Sequence, residues 1–501
     1  MEKYDVCVIG SGMAGLTAAS LLTKKGLRVG VLEHNYLPGG CTSSYWRKGF
    51  VFETGATTLV GMDEHMPLRH LVNEIGLEIP MKKLQLPMQV HLANGKKINR
   101  YENLEEWIAE AERVFGKKNQ RAFWEFCYDV SEFVWETSLK QKAFPPENIS
   151  DLMQAASNAD LKQVRYATWA LMSMKKLLKR YGLLENKAFV DFVNEQLLIT
   201  AQNHISEVNV LFGAAALCYT NYGNYYVDGG LINLVKPIVH YLKENESRVH
   251  LRNTVEKVTQ KDDGYLIHTK KQGDIACDFV ISAIPLNNTL PIFENIPKPA
   301  FSEKELKPAL LNSAFQLGIG YEPHKKLPTL HHQIHLEEPL PEIGSASIFL
   351  SISHPEDHTR TDEPGQGVAS VSTHISQPNS RSAIDKEKVE AAILNKLEEL
   401  DFIRKDHIIY THSSAQKSWE KWTGRAFGFV GGYPQYMKIK PWQMPGNRLD
   451  GKGAYICGDS TYPGQGIPGV TLSGIIVADK FMRDQKSYLK RKKYEREMSL
   501  L

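Results

Sequence analysis

Apolar positions change their period in blocks along this chain, and the blocks predict the order of its elements. Tyr4–Ile9 (YDVCVI) is an almost unbroken apolar run, the pattern of a short strand covered on both faces. Gly10–Gly15 (GSGMAG) interrupts it, a helical run LTAASLLTKKG ends at Gly26, and Leu27–Leu32 (LRVGVL) reads as a second strand closed by Glu33. Leu251–Val258, Phe279–Pro285 (FVISAIP) and Ala454–Cys457 read as further strands. Gly458-Asp459 ends the last of these, and a glycine ahead of Pro468 marks the start of a helix. Residues 100–225 have helical spacing and many aromatics, among them Trp107, Trp124, Trp135 and Trp169. Ser345–Ser353 and Gly367–Ile375 alternate as strands of another sheet do.

Strand, glycine turn, helix, strand and acid, in that order, make the dinucleotide-binding unit. Gly10 permits the tight turn, Gly12 removes a Cβ where a pyrophosphate must approach, and Gly15 lets the helix pack closely on the strand. The N–H groups of Ser11, Met13 and Ala14 lie at the helix start, where the helix dipole favours an anion. Glu33 stands where an acid accepts from ribose hydroxyls and repels a 2′-phosphate, which disfavours NADP. A second GxGxxG, Gly464 to Gly469, has a proline inside the turn and no acid-ended strand after it. It is rejected as a nucleotide site.

The tract behind Glu33, with Pro38-Gly39-Gly40 and then Phe52-Glu53-Thr54-Gly55, resembles the second phosphate loop of FAD-binding oxidases. GSGMAG, PGGCTSSYWRKGFVFETG and the closing CGDSTYPGQGIPGVTLSG together resemble the phytoene desaturase, carotenoid isomerase and retinol saturase group of amine-oxidase-like flavoproteins. The likeness is strong at the two ends, modest near 225–285 and weak elsewhere. PGGC followed by an aromatic run is closer to the isomerase and saturase branch, because bacterial desaturases commonly carry lysine or arginine after the glycines.

The resemblance implies an α/β protein: a discontinuous FAD-binding Rossmann-like (GR2-type) domain, a mixed-sheet substrate domain and a helical insertion. The expected boundaries are 1–100, 226–300 and 415–485 for the FAD domain, 100–225 for a helical region facing substrate or membrane, and 300–415 for the substrate sheet. Residues 486–501 are expected to be a basic, frayed tail. The resemblance also implies FAD contacts from Gly39, Gly40, Gly55, Val255, Asp459, Gly469 and Val470. Asp459 would hold a ribityl hydroxyl, and the helix near Pro468 would face the pyrimidine edge of the flavin. It implies hydride exchange at C–C bonds of a hydrophobic polyene (desaturation or saturation) or isomerisation on reduced flavin. No catalytic residue is assigned, and Glu53 is read as structural.

Composition narrows the partners. At 501 residues, 42% hydrophobic and 23% charged with a net charge of +3, the chain is ordinary globular protein without the basic stripe that nucleic acid requires. The six cysteines form no CxxC pair, which suits a reducing compartment and no structural zinc. The first strand starts almost at once, so no cleaved leader is expected, and the uncharged stretches Val208–Val227 and Ser460–Ala478 are too polar or too broken to span a bilayer. A cytoplasmic location is expected.

Leu161–Leu184 mixes apolar residues with Lys162, Arg165, Lys175, Lys176, Lys179 and Arg180. A peripheral contact with the inner face of a membrane would use such a helix; a core helix with a solvated basic face is the preferred reading. Tyr219, Tyr222, Tyr225 and Tyr226 either line a tunnel for a flat polyene or pack an interface, and the resemblance tilts this towards the tunnel. His331, His332 and His335 are read as a surface group, with no metal. Without a second nucleotide fingerprint, the electron acceptor or donor stays open. The rival readings are an amine or porphyrinogen oxidase with an acid-lined pocket and a flavin-free prenyl-protein escort module with a degraded fingerprint.

Overall fold

The computed structural model describes residues 2–159, 165–295, 307–378, 383–432 and 434–499. Its strands in chain order are β1 Lys3–Ile9, β2 Val29–Leu32, β3 Ser44–Arg47, β4 Phe50–Glu53, β5 Met81–Lys83, β6 Met88–His91, β7 Lys97–Arg100, β8 Tyr225–Val227 and β9 Arg248–His250. They continue with β10 Val255–Lys261, β11 Gly264–Thr269, β12 Gly273–Ser282, β13 Asn312–Tyr321, β14 His331–His335, β15 Ser347–Ile352, β16 Gly367–Ser376, β17 Ile408–Ser414 and β18 Ala454–Ile456.

The apolar run of β1 lies at the centre of the first sheet, with Val8 paired in parallel to Val31 of β2 and to Ile281 of β12. On its other edge β12 pairs with antiparallel β11 and with parallel β18, and β9 extends the sheet beyond β2. A parallel strand needs cover on both faces. The helices Met13–Lys24 and Ile467–Asp484 supply part of it, and both contribute heavily to the first core. They come close because one residue has no side chain: a Cβ on Gly474 would sit 2.5 Å from the carbonyl oxygen of Ala14.

The second sheet runs β17-β13-β16-β15-β14-β6-β7 and is antiparallel except where β14 meets β6. It contains β6 and β7, so the first segment leaves the nucleotide-binding sheet before residue 88, short of the expected boundary at 100. The helical region covers another apolar core around Trp107, Trp124, Phe123, Phe189 and Phe192. Fully buried Arg100 lies in that core, 4.1 Å from the Trp107 ring and bonded to Gln196 Oε1 at 2.8 Å. No helix among the described residues is long and apolar enough to cross a membrane.

Three expectations change. The basic run Leu161–Leu184 is not one helix: 161–164 lie outside the described residues, Thr168–Leu171 is a 3-10 turn, and Ser173 caps a new helix Met174–Arg180. The tail is helical over Lys486–Ser499 rather than frayed, because Tyr488 donates to Asp278 (2.6 Å) and Asp5 (2.8 Å) and Lys492 pairs with Asp5 at 2.7 Å. The histidines are not on the surface. Every residue of β14 is buried, since both faces of this central strand are covered.

His331 bonds Thr58 and Ser351 on one face, and His332 lies against His91 and Phe402 on the other. Burial lowers His91, His331 and His335 to about 4 and His332 to about 3, so all four are neutral. Among the described residues no group of three or more potential ligands could hold a metal ion.

Two outcomes follow from this packing. Gly474→Val must drive the two helices apart, and an overpacked interface of this kind costs about 1–3 kcal/mol, read as a lowered Tm. The buried histidines bind protons more weakly in the folded chain than in the unfolded one, which takes them up below about pH 6.5. Their contribution is whole above that pH and is lost as pH falls towards 4, by about 1.4 kcal/mol per pH unit for each histidine. The urea midpoint is therefore expected to drop between pH 7 and pH 5; a flat profile would mean that these side chains are solvated.

Candidate functional site

The glycine turn is built as its spacing requires. Gly10 has φ +100°, and a Cβ there would press on Ile284 at 2.9 Å. A Cβ on Gly15 would lie 2.3 Å from the Gly10 carbonyl oxygen, so only glycine lets this helix start so near the strand. Gly12 differs from both: a Cβ there would meet nothing within 4 Å. Gly12 also caps the helix Met13–Lys24 without a side-chain acceptor, so the first turn presents its N–H groups to that open space.

The second loop faces the first. Gly39 N donates to Ser11 O at 2.9 Å, Gly12 and Gly39 form a bridge, and a Cβ on Gly40 would touch only Gly12 Cα, at 3.4 Å. Glu33 closes this side. Its Oε2 accepts from Ser11 N (2.8 Å) and Ser11 Oγ (2.6 Å), and its Oε1 accepts from Asn35 N (2.7 Å). Val255 begins β10 beside it, since Asn253 N donates to Glu33 O and His34 bonds Thr254. The structure thus brings Gly10, Ser11, Gly12, Met13, Ala14, Gly15, Glu33, Gly39, Gly40 and Val255 to one region.

The remaining expected contacts gather around the next stretch. Gly55 packs on Cys41, where a Cβ would approach the cysteine Cβ to 3.2 Å. Asp459 pairs with Arg425 at 2.7 Å, and Arg425 also donates to Gly431 O at 2.9 Å. Burial pushes the Cys41 thiol up, while Arg425 pulls the other way. Gly469 and Val470 lie in the first turn of the helix Ile467–Asp484, whose cap Gly466 again offers no side-chain acceptor. Gly464 (φ +113°) and Gly466 (φ +86°) turn the chain into this helix, so the rejected GxGxxG is a helix entry.

The residues present fit a dinucleotide with a flavin. Two bare helix starts, two glycine loops face to face and the acid Glu33 at the end of β2 would supply the recognition chemistry. Ser43, buried just after the Gly39-Gly40 loop, has an Oγ without a partner. A buried hydroxyl left unpaired is costly, and a polar ring edge would satisfy it.

Glu53 lies at the centre of a buried polar knot. It pairs with Arg360 at 2.9 Å, accepts from Ser44 Oγ at 2.6 Å, and takes the Leu231 N–H at 3.2 Å. Burial pushes its carboxyl up against the opposing pull of Arg360, Ser44 and Leu231; with these donors around it we assign the ionised form. Arg360 also donates to Val51 O at 2.9 Å. Asp357 accepts from Tyr226 Oη and from Gly229 N, each at 2.7 Å.

Tyr226 is thus an interface residue, as is Tyr222, whose hydroxyl donates to Ser131 at 2.9 Å. Arg360, Arg425, Ser43 and Asp357 escaped the sequence reading; the sole signal near Arg425 was the neighbouring double glycine Gly431-Gly432.

Comparison with known proteins agrees with this construction. The family model of flavin containing amine oxidoreductases matches residues 13–481. The chain is 26% identical to prolycopene isomerase 2, chloroplastic, of an Oncidium hybrid cultivar, across 96% of this chain and 84% of that protein. It is 23% identical to 4,4'-diaponeurosporene oxygenase of Staphylococcus aureus (strain MW2), across 96% and 98%. The solved structure of putrescine oxidase bound to putrescine superposes with a TM-score of 0.66 at 15% identity, covering 96% of this chain and 99% of that one.

Gly12 and Gly15 separate folding from binding. Gly12→Ala adds a methyl group where the protein has room, so the thermal transition of the cofactor-stripped chain should not move, whereas FAD affinity should fall at least tenfold, or about 1.4 kcal/mol. Gly15→Ala should lower both. Equal FAD affinity in Gly12→Ala and the wild type would place the pyrophosphate elsewhere.

Proposed function

The chain belongs to the flavin containing amine oxidoreductase family and is an FAD-dependent oxidoreductase, and from that premise we propose that its substrate is a hydrophobic polyene of carotenoid or retinoid type. The bond chemistry is desaturation, saturation or isomerisation at carbon–carbon bonds. The observation that carries this reading is the state of the acids around the site. Glu53 is bound to Arg360, Asp459 to Arg425, and Asp357 to Tyr226 and the Gly229 N–H. An ammonium substrate needs a carboxylate to meet its charge when it leaves water, and each of these carboxylates is already engaged. The names of the carotenoid-converting relatives point the same way.

The bound flavin would supply the hydride exchange. The protein's part is to hold it and to keep the surroundings dry and fixed. Gly12, Gly39 and Gly40 would admit the diphosphate, Glu33 the ribose, and the first turn of Ile467–Asp484 a developing negative charge. The Glu53–Arg360 knot anchors the Phe52–Gly55 turn against the second sheet. His331 extends that anchor. Its Nδ1 faces the Ser351 hydroxyl, which donates onward to Thr57, and its Nε2 faces Thr58. Ser351 therefore accepts from Nδ1–H and Thr58 donates to Nε2, which fixes one neutral tautomer beside the turn. An amine oxidase would instead need a carboxylate left free for its ammonium substrate.

The test is anaerobic mixing of the FAD-loaded protein with a poly-cis carotene, an all-trans carotenoid, a retinoid and a diamine. Bleaching of the oxidised-flavin band by a polyene is expected for desaturation, and isomerised product after prior chemical reduction for isomerisation. For saturation, the reduced flavin should re-oxidise on adding polyene. Bleaching by the diamine with all polyenes inert would overturn the reading.

A further inference from the structure

One face of the second sheet is covered at both ends and open between them. Even-numbered positions of β13 and β16 point away from the core that holds Leu317, Ile319, Val371 and Ile375. At one end the hairpin β3–β4 lies on that face: a Cβ on Gly318 would stand 2.9 Å from Phe52, and one on Gly320 2.5 Å from Phe50. At the other end Gln202, which closes the helix Lys187–Ala201 with φ +59°, bonds His374. Between these covers the paired residues Gln316–Ser372 and Ala314–His374 are half-buried, as is Phe349 beside Ser372 on β15. The residues interleaved with them are buried.

This floor lies between two parts of the candidate flavin site. Gln316 Nε2 donates to Glu53 O at 2.9 Å, in the turn Phe52–Gly55. Gln465, in the entry to the helix Ile467–Asp484, donates to Thr200 O at 2.6 Å, beside the helix end that carries Gln202. Gly431 brings the two glutamines together, since a Cβ there would stand 2.1 Å from Gln465 Oε1 and 3.2 Å from Gln202 Cγ.

Hydrogen bonds fix what the floor presents. Asn312 Nδ2 donates to Gln202 O at 2.9 Å and to Gln202 Oε1 at 3.1 Å. A backbone carbonyl only accepts, which orients the Asn312 amide, and Gln202 must then turn its NH2 to His374 Nε2, 3.0 Å away. Burial lowers His374 to about 4, so the ring is neutral and carries its one proton on Nδ1. Among the described residues neither that N–H nor the Ser372 hydroxyl has a partner. The floor carries no charge.

We propose that this floor is a substrate subsite that reads oxygen: His374 Nδ1–H donates to a hydroxyl or carbonyl oxygen at one end of the polyene, with the Ser372 hydroxyl beside it. These two residues then select an oxygen-bearing polyene over its hydrocarbon parent. A hydrocarbon laid over them strips water from both donors and returns nothing, whereas an oxygen restores the bond. The inference rests on the polyene reading above and narrows it.

The experiment is a titration of the FAD-loaded, full-length protein with two matched pairs, followed by quenching of tryptophan fluorescence. The pairs are zeaxanthin against β-carotene, and all-trans-retinol against the same chain without its hydroxyl. In at least one pair the hydroxylated member is expected to bind about tenfold more tightly. His374→Leu should remove most of that preference by weakening the hydroxylated member alone, with flavin absorbance and circular dichroism unchanged. Ser372→Ala should remove part of it, and carries the test if His374→Leu does not fold. Equal affinities within both pairs in the wild type overturn the proposal, as does a preference that the folded variants keep. Weaker FAD binding in His374→Leu with the preference intact overturns it too, by assigning the N–H to the cofactor. A protein that binds no member of either pair refutes the polyene reading itself, an outcome distinct from equal binding.

Discussion

The buried ion pair between Glu53 and Arg360 joins the two halves of the molecule. Glu53 ends the hairpin β3–β4 behind the second glycine loop, and Arg360 comes from the connection between β15 and β16 in the other sheet. The same carboxylate takes the backbone N–H of Leu231, which opens the helix Ile232–Glu244. Two charges removed from water gain little net stability, because their attraction is largely spent against desolvation. What they enforce is register: a hydrophobic contact would tolerate a small slide between sheet and hairpin, whereas this pair and its donors tolerate only one arrangement. The turn that follows β4 and the second sheet therefore share a single frame.

Within that frame, recognition depends on what is missing rather than on what is present. Gly10, Gly15 and Gly474 are sites where backbone touches neighbour, Gly12 is a site where backbone faces open space, and Gly40 meets only the Gly12 Cα. The first kind makes the helices approach; the second leaves the backbone of the facing loops uncovered. Two helix starts, at Gly12 and Gly466, have no side-chain caps and carry the partial positive charge of their free N–H groups. The acids nearby are paired or hydrogen-bonded inside the protein, which makes the rest of the site poor in free charge.

The glycine logic was legible in the sequence because it is local: a strand, a turn and a helix within a short span state their needs in order. The discontinuous sheet was legible in part: β1, β2, β12 and β18 carry apolar runs, whereas β9 and β10 do not, and Leu251–Val258, read as one strand, is a turn followed by β10. Arg360 and Arg425 were not. Each is one arginine among many, and Arg360 meets its partner across 307 positions of chain, so no pattern near it signals the role. The histidines of β14 were read as a surface group, but the strand has no wet face. Asp151 was not singled out either, since the cations that bury it, Arg448 and Arg483, lie about three hundred positions away.

The first sheet joins the beginning of the chain to its end: β1 and β18 share β12 between them, and Gly474 lets the late helix lie on the early one. A ribosome delivers residues in order. The nascent chain therefore exposes its glycine turn and its apolar β1 long before the strand and helix that complete the site have emerged. Such long-range closure is slow, and in the interval the unfinished sheet edge is open to mispairing. A sheet that needs β18, and a helix packing that needs Ile467–Asp484, can therefore be completed only after both have emerged.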